Sequence, residues 1–107
     1  MTNYRKGAGR ELRVADLYRA NGWVVYRSAG SHGPADLVAM KSGRQNELIQ
    51  VKATAAGPFA SFGPAERDGL RDEAIQAGAR AVLCWYPPDR KGPRFLHVQD
   101  WPAARAA

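Results

Sequence analysis

Two stretches decide the fold of this chain: Gly33-Pro34-Ala35-Asp36-Leu37-Val38-Ala39 and Leu48-Ile49-Gln50-Val51-Lys52. Both are short runs rich in Val, Leu and Ile, bounded by Gly, Pro and Asn, which is typical of strands that are buried on both faces. Asp36, Gln50 and Lys52 interrupt these apolar runs. Because an unpaired buried charge is costly, the three polar side chains are expected either to pair with one another or to hold a metal ion.

The spacing of these residues predicts that they meet. Side chains alternate along a strand, so Gln50 and Lys52 project from the same face. The polar segment 41–46 contains a glycine and predicts an antiparallel hairpin, which would bring Asp36 toward Gln50. An Asp followed by Gln-x-Lys on the adjacent strand fits a metal-dependent nuclease. The alternative is an ordinary, partly buried ion pair between Asp36 and Lys52, with Gln50 hydrogen-bonded beside it.

The remaining pattern predicts one α/β domain over residues 1–107. Apolar periodicity and Gly or Pro punctuation predict, in order, a helix at about 9–21, strands at about 23–28, 35–40 and 47–53, a helix at about 64–77, and strands at about 81–86 and 94–98. This α-β-β-β-α-β-β order predicts a mixed five-stranded sheet flanked by helices.

The aromatic residues beyond the third strand leave several interpretations open. The segment from Thr54 to Pro64 is rich in Gly, Pro and Ala and predicts a mobile loop. Its Phe59 and Phe62 would either stack on unpaired bases, close against a dimer partner, or cap the edge of the core. Three further aromatic residues are expected in the core or in an interface: Trp85, Phe95 and Trp101.

Charge favours an anionic partner. Sixteen Lys and Arg against ten Asp and Glu give a formal net charge of +6. Basic residues crowd the first thirty positions, namely Arg5, Lys6, Arg10, Arg13, Arg19 and Arg27. A solvated helix surface would explain them, but beside a metal motif they favour phosphate binding. The single cysteine, Cys84, lies in an apolar run, which predicts a core position, no internal disulfide and a reducing compartment.

Several other classes of protein are not expected. The sequence has no signal-peptide pattern and no run of roughly twenty apolar residues, so we predict a cytoplasmic protein without a membrane partner. The turn Gly30-Ser31-His32-Gly33 could approach a phosphate with its backbone amides. It lacks the Lys-Ser or Lys-Thr ending of a P-loop, so no nucleotide cofactor is expected.

Phosphodiester hydrolysis explains why these residue types belong together. A hard divalent cation such as Mg²⁺ prefers oxygen ligands, and one or two carboxylates with a carbonyl suffice. The carboxylate of Asp36, the amide oxygen of Gln50 and the backbone carbonyl of Val51 would serve. Lys52 could orient the attacking water or neutralise the negative charge that develops on the phosphate.

Three further segments carry a resemblance to a known family: Tyr4-Arg5-Lys6-Gly7-Ala8, Arg10-Glu11-Leu12 and Arg27-Ser28-Ala29-Gly30-Ser31. With Asp36 and Gln50-Val51-Lys52 they form a signature that resembles the archaeal-type Holliday junction resolvases, which belong to the PD-(D/E)xK nucleases. The resemblance is weaker beyond Thr54, where it depends on Arg67-Asp68-Gly69-Leu70. It implies a restriction-endonuclease-like core.

The resemblance also implies an activity and a set of site residues. The implied enzyme is a homodimeric, Mg²⁺-dependent endonuclease, with Mn²⁺ able to substitute, that binds four-way DNA junctions and resolves them by paired symmetric nicks. The residues that match catalytic positions are Glu11, Asp36, Gln50 and Lys52, with Ser31 near the scissile phosphate. The implied metal ligands are Glu11, Asp36, Gln50 and Val51. The expected DNA contacts are Arg5, Lys6, Arg10, Arg13, Arg27, Ser28, His32 and Arg67.

Two of these positions keep alternatives open. Gln50 departs from the family, which usually has Glu there, and it removes one negative charge from the metal site. The alternative functions are therefore a catalytically silent binder of branched DNA, or a nuclease of the same fold that acts on other branched DNA. Glu11 is predicted in a first helical turn, where it could instead stabilise the helix dipole or pair with Arg10. The chain could serve cellular repair or, in a host cytoplasm, a virus.

Overall fold

The structure is a computed structural model that describes residues 3–28, 33–89 and 91–103, with the backbone alone for residues 3–8. Its elements are α1 (Asn3–Ala20), β1 (Val24–Arg27), β2 (Leu37–Met40), β3 (Glu47–Ala53), α2 (Pro64–Ala77), β4 (Arg80–Tyr86), β5 (Arg94–His97) and a short 3-10 helix (Val98–Asp100). The order of helices and strands is the predicted one.

One mixed sheet contains all five strands, in the order β1-β2-β3-β4-β5. Strands β1, β2 and β3 pair antiparallel, as do β4 and β5, whereas β3 and β4 are parallel over the full length of both. The parallel pairing needs a crossover, and α2 provides it. The predicted mixed five-stranded sheet with flanking helices is confirmed.

The largest difference from the predicted boundaries is at the first helix. It begins at Asn3 rather than near residue 9. Gly7 and Gly9 are poor helix formers, and the segment before them has no apolar period, so local signals place the start too late. As a result, Glu11 lies in the third turn of α1. The predicted first-turn interaction of Glu11 with the helix dipole is therefore wrong.

Each face of the sheet has its own apolar cluster. On the α1 face, Val14 and Ala15 pack with Ile49 and with buried residues of the neighbouring strands. On the opposite face, Leu70 and Ala74 of α2 pack with residues that include Leu48, Phe62, Leu83 and Trp101. Helix α2 starts with proline after Gly63 and ends at Gly78, whose φ of 65° is left-handed. The two helices therefore cover opposite faces of β3.

The segment between β3 and α2 closes the core. Phe62 is fully buried, and its ring meets that of Trp101 edge-on at 5.0 Å between centroids. The Arg67 guanidinium donates to the carbonyl of Phe62 at 2.7 Å and lies 5.8 Å from the ring of Phe59. The interpretation of Phe62 as a base-stacking or dimer-closing residue is wrong, because its side chain is fully buried in the core.

The remaining aromatic residues and the cysteine divide between core and surface. Trp101 is buried and Trp85 is half-buried, with its indole N–H donating to the carbonyl of Thr54 at 3.0 Å. Phe95 is partly exposed and packs edge-on against Tyr18. Burial raises the pKa of Cys84 to about 12, as expected for a core thiol.

Candidate active site

Asp36 lies where the chain enters the β2–β3 hairpin, and its contacts fix it to β3. Its backbone N–H donates to the carbonyl of Ile49 at 2.8 Å, and the next residue, Leu37, pairs with Ile49 in the antiparallel register. Its side-chain Oδ2 accepts the backbone N–H of Val51 at 2.8 Å. Ser28 in turn donates its backbone N–H to the carbonyl of Asp36 at 2.8 Å. The predicted hairpin is confirmed.

The carboxyl group of Asp36 is partly buried, and its surroundings shift its pKa in opposite directions. Burial raises its pKa, while the hydrogen bond from the Val51 N–H lowers it. The negative charge of Glu11 raises the pKa further, and the positive charges of Lys52 and Arg27 oppose that effect. Asp36 therefore lies in the field of all three charged groups. A carboxylate whose charged form is destabilised by a neighbouring carboxylate is suited to a divalent cation.

Glu11 reaches this region from α1 and pairs with Arg27 at the end of β1. The Arg27 Nε donates to Oε1 of Glu11 at 2.9 Å, and the Glu11 side chain is only 19% exposed. The predicted alternative pairing with Arg10 is therefore replaced by a contact between residues 16 positions apart. A local reading of the sequence could not find it, because the contact depends on how α1 packs on the sheet.

Gln50 and Lys52 project from the α2 face of β3, while Ile49 and Val51 contact the α1 cluster. The Nζ of Lys52 lies 3.1 Å from Oε2 of Glu66 in the first turn of α2. The predicted simple ion pair between Asp36 and Lys52 is thus not the contact that the structure has.

The side chain of Gln50 is half-buried and makes no hydrogen bond to the described part of the chain. Its amide is therefore available to a ligand. Within the described ranges, no three His, Cys, Asp or Glu side chains form a group that could hold a metal. The charge of Glu11 acts on the carboxyl group of Asp36, and a hard cation held by these two carboxylates would complete its shell with amide, backbone, water or phosphate oxygens. The residues present fit a magnesium-type site, which keeps several waters.

Basic residues flank the same end of the sheet. Arg10 and Arg13 line a cavity of about 620 Å³ together with residues from the ends of β3 and β4, including Thr54 and Tyr86. Burial raises the pKa of the Tyr86 phenol, and the charges of Arg13 and Arg10 oppose that shift. Among the described residues, neither arginine pairs with a carboxylate. The cavity is therefore suited to an anionic group.

Four of the predicted site residues concern a part of the chain that the structure does not describe. Ser31 and His32 lie outside the described residues, as do the side chains of Arg5 and Lys6. The guanidinium of Arg67 is engaged with the loop before α2, so it has a structural role, and its contact with DNA stays a prediction. The sequence did not indicate the contact of Glu66 with Lys52. Proline and an acid in a first helical turn are also ordinary signals of a helix start.

Known proteins resemble this chain in sequence and in fold. A model of the archaeal Holliday junction resolvase family (Hjc) matches residues 2–106. The chain belongs to the archaeal Holliday junction resolvase family. A solved structure of Hjc, a Holliday junction resolvase from the archaeal hyperthermophile Archaeoglobus fulgidus, is similar, with 27% identity and a TM-score of 0.68. That match covers 87% of this chain and 80% of the other chain.

A second solved structure, of the protein SSO0001, shares the fold. Its sequence identity is 13% and its TM-score is 0.54, and the match covers 86% of this chain and 50% of that one. At this identity the likeness extends to the fold alone.

Membership of the resolvase family settles the enzyme class. This resolvase is a crossover junction endodeoxyribonuclease, an enzyme that binds branched DNA and acts in DNA recombination. Nucleases of this type depend on a metal ion. The resemblance drawn from the sequence is confirmed. No helix among the described residues has the length and apolar character needed to cross a membrane.

Proposed function

We propose that Glu11, Asp36, Gln50 and Lys52 form the centre where this resolvase cleaves the phosphodiester. The observation that carries the proposal is the fixed position of the Asp36 carboxylate among charged neighbours. Its carboxylate is fixed on β3 by the Val51 N–H and lies in the fields of Glu11 and Lys52. Partly buried carboxylates with raised pKa values, next to a charged partner, are more common at functional sites than elsewhere.

The metal proposed for this centre is Mg²⁺, with Mn²⁺ able to substitute. Glu11 and Asp36 would hold it with their carboxylates, and Gln50 with its amide oxygen. Val51 has its N–H committed to Asp36 and would contribute only its carbonyl. When bound, the ion supplies positive charge to the phosphoryl oxygens of the DNA. Because an amide ligand is neutral, we expect weaker metal binding than a third carboxylate would give, but not an inactive enzyme.

Lys52 supplies a fixed positive charge on the α2 side of the same strand. Its ammonium is a compact charge on a flexible stem, and it can neutralise the negative charge that develops as the phosphodiester breaks. The side chain is 22% exposed, so it lies at the boundary between protein and solvent where DNA would bind. Lys52 therefore acts by electrostatic stabilisation of the transition state.

The DNA backbone is proposed to follow the basic end of the sheet. Arg10 and Arg13 present two guanidinium groups to one cavity, and guanidinium groups bind phosphate oxygens in a bidentate way. That cavity would receive a phosphate next to the scissile one. The further proposed contacts are Arg5, Lys6, Arg27, Ser28, Ser31 and His32, with Ser31 nearest the scissile phosphate.

Symmetry supports a homodimer. A four-way junction resolved by two matching nicks requires two active sites, and two-fold symmetry of the protein supplies them with one interface. The paired nicks and the dimer are therefore proposed together. An enzyme of this kind acts where branched DNA is present, so we propose an intracellular location.

Cleavage of a labelled four-way junction tests the proposal. The parent protein is incubated with this junction or a matched linear duplex, in Mg²⁺, Mn²⁺ or EDTA, with a gel shift in Ca²⁺ alongside. We expect paired symmetric nicks in the junction only, and none in EDTA. A tight junction-specific shift without cleavage in either metal would mean instead that Gln50 has silenced the site and the protein only binds junctions.

A further inference from the structure

Lys52 has a partner that the nuclease signature does not include. Its Nζ lies 3.1 Å from Oε2 of Glu66, within hydrogen-bond distance as well as ion-pair distance. The Lys52 side chain is 22% exposed and that of Glu66 is 49% exposed. The contact joins the end of β3 to the first turn of α2, so it fixes where the ammonium lies relative to the sheet.

The geometry of β3 makes residue 50 the natural alternative partner. Gln50 and Lys52 project from the same face, two residues apart, so their side chains leave the strand roughly 7 Å from each other. A carboxylate at position 50 would be within reach of the ammonium, but the amide of Gln50 carries no charge. On this face, α2 supplies the missing negative charge with Glu66.

We propose that Glu66 is a positioning residue for Lys52, and that it provides the balancing charge that Gln50 cannot. Its carboxylate holds the ammonium beside Asp36 and keeps the charge balance of the centre. The proposal rests on the proposed function, because it takes Lys52 as the residue that stabilises the transition state. An acid in a first helical turn is also favoured by the helix dipole alone, and the experiment below separates the two roles.

The first test is the variant Glu66→Gln in single-turnover cleavage of a four-way junction. We expect the rate to fall roughly tenfold to a hundredfold, because a loosely held ammonium is misplaced in the transition state. Junction affinity in Ca²⁺ should not fall, since the variant removes no phosphate contact. The matched control is Asp72→Asn, which removes one negative charge from an exposed position of the same helix and should cleave at the parent rate.

The second test is rescue. In the double variant Gln50→Glu with Glu66→Gln, a carboxylate returns to the same face of β3 from a different element. Rates are compared at a Mg²⁺ concentration that saturates every variant, with Gln50→Glu alone as the control, so that tighter metal binding cannot raise them. We expect the double variant to recover most of the lost rate, which a merely structural role of Glu66 would not permit. The proposal is overturned if Glu66→Gln cleaves like the parent, or if the double variant is no faster than Glu66→Gln alone.

A cycle of thermal unfolding temperatures separates this proposal from the proposed function. The parent, both single variants and the double variant are unfolded in EDTA, so no cleavage is required. We expect the double variant to be more stable than the sum of the two single changes, because each offsets the charge imbalance of the other. Strict additivity would overturn the role of Glu66. Normal cleavage by Lys52→Ala would instead overturn the proposed function, whatever the cycle gives.

Discussion

The two ends of β3 carry buried or half-buried charge in different ways. At the first end, Glu47 is 7% exposed, and Oε1 of its carboxylate accepts the Tyr18 hydroxyl at 2.6 Å. The ring of Tyr18 meets those of Trp23 and Phe95 edge-on at 5.5 and 5.8 Å. Burial and the bond to Glu47 raise the pKa of Tyr18 well above its ordinary value. At this end the carboxylate is satisfied by a hydrogen bond inside the protein, and we call it the closed end.

At the other end, which we call the open end, charged and polar side chains are accessible to a ligand. Asp36 lies in the field of a second carboxylate, Gln50 has a half-buried amide without a hydrogen bond in the described chain, and Lys52 reaches toward solvent. The comparison teaches that burial alone does not separate a structural acid from an acid proposed to act in catalysis. Glu47 is the more buried carboxylate, but a neutral donor satisfies it, whereas Asp36 is opposed by a like charge.

The largest expected effect is loss of cleavage in Lys52→Ala. Removing the charge that stabilises the transition state should lower the single-turnover rate by roughly 10²- to 10³-fold, with junction binding in Ca²⁺ retained. The matched control is Lys41→Ala, near the Glu47 end, where Nζ donates to the carbonyl of Asn21. That variant should cleave normally. Equal rates for the two variants would remove the distinction between the ends.

The closed end should respond in stability rather than in rate. Tyr18→Phe removes the hydroxyl that Glu47 accepts and leaves a buried carboxylate without its donor. We expect the free energy of unfolding to fall by about 1–3 kcal/mol, measured by urea denaturation, with an unchanged cleavage rate below the unfolding transition. A slower enzyme of unchanged stability would mean that the Glu47 end takes part in catalysis.

Gln50→Glu sharpens the comparison at the open end. A third carboxylate there should tighten metal binding, and the Mg²⁺ concentration for half-maximal cleavage should drop roughly tenfold, as for about 1.4 kcal/mol of added affinity. A titration of rate against Mg²⁺ measures this. An unchanged midpoint would show that residue 50 does not contact the ion.

The smallest expected effect is a gain in stability from Asp36→Asn in EDTA. Because the folded-state pKa of Asp36 is raised above its ordinary value of 3.8, ionisation destabilises the folded chain. The loss of stability in the parent should develop as pH rises from that value through the raised pKa. The variant should therefore unfold a few degrees higher than the parent near neutral pH, with a smaller difference near pH 3. An equal or lower unfolding temperature at neutral pH would contradict this account.

Much of the fold and part of the site could be predicted from the sequence. Strand β3 and helix α2 have their predicted bounds, because apolar periodicity and Gly or Pro boundaries are local signals. The hairpin that brings Asp36 to β3 was predictable for the same reason. The contacts of Glu11 with Arg27 and of Lys52 with Glu66 were not, because each joins separate elements and depends on helix packing. The sequence left core packing of Phe62 as one of three alternatives, because its choice also depends on how the separate elements pack.

Every strand of this sheet is bonded to its neighbour along the chain, and this has a consequence for folding. Asp36, Gln50 and Lys52 lie on one hairpin, and isolated hairpins form in roughly 1–10 microseconds. The parallel pairing of β3 with β4 can form only after the α2 crossover has brought the two strands together, and this closes a longer loop of chain. The strands of the proposed catalytic centre can therefore meet early, while the ion pair of Lys52 with Glu66 forms only when α2 docks. The lysine would then be fixed in place only after the strands that carry it have met.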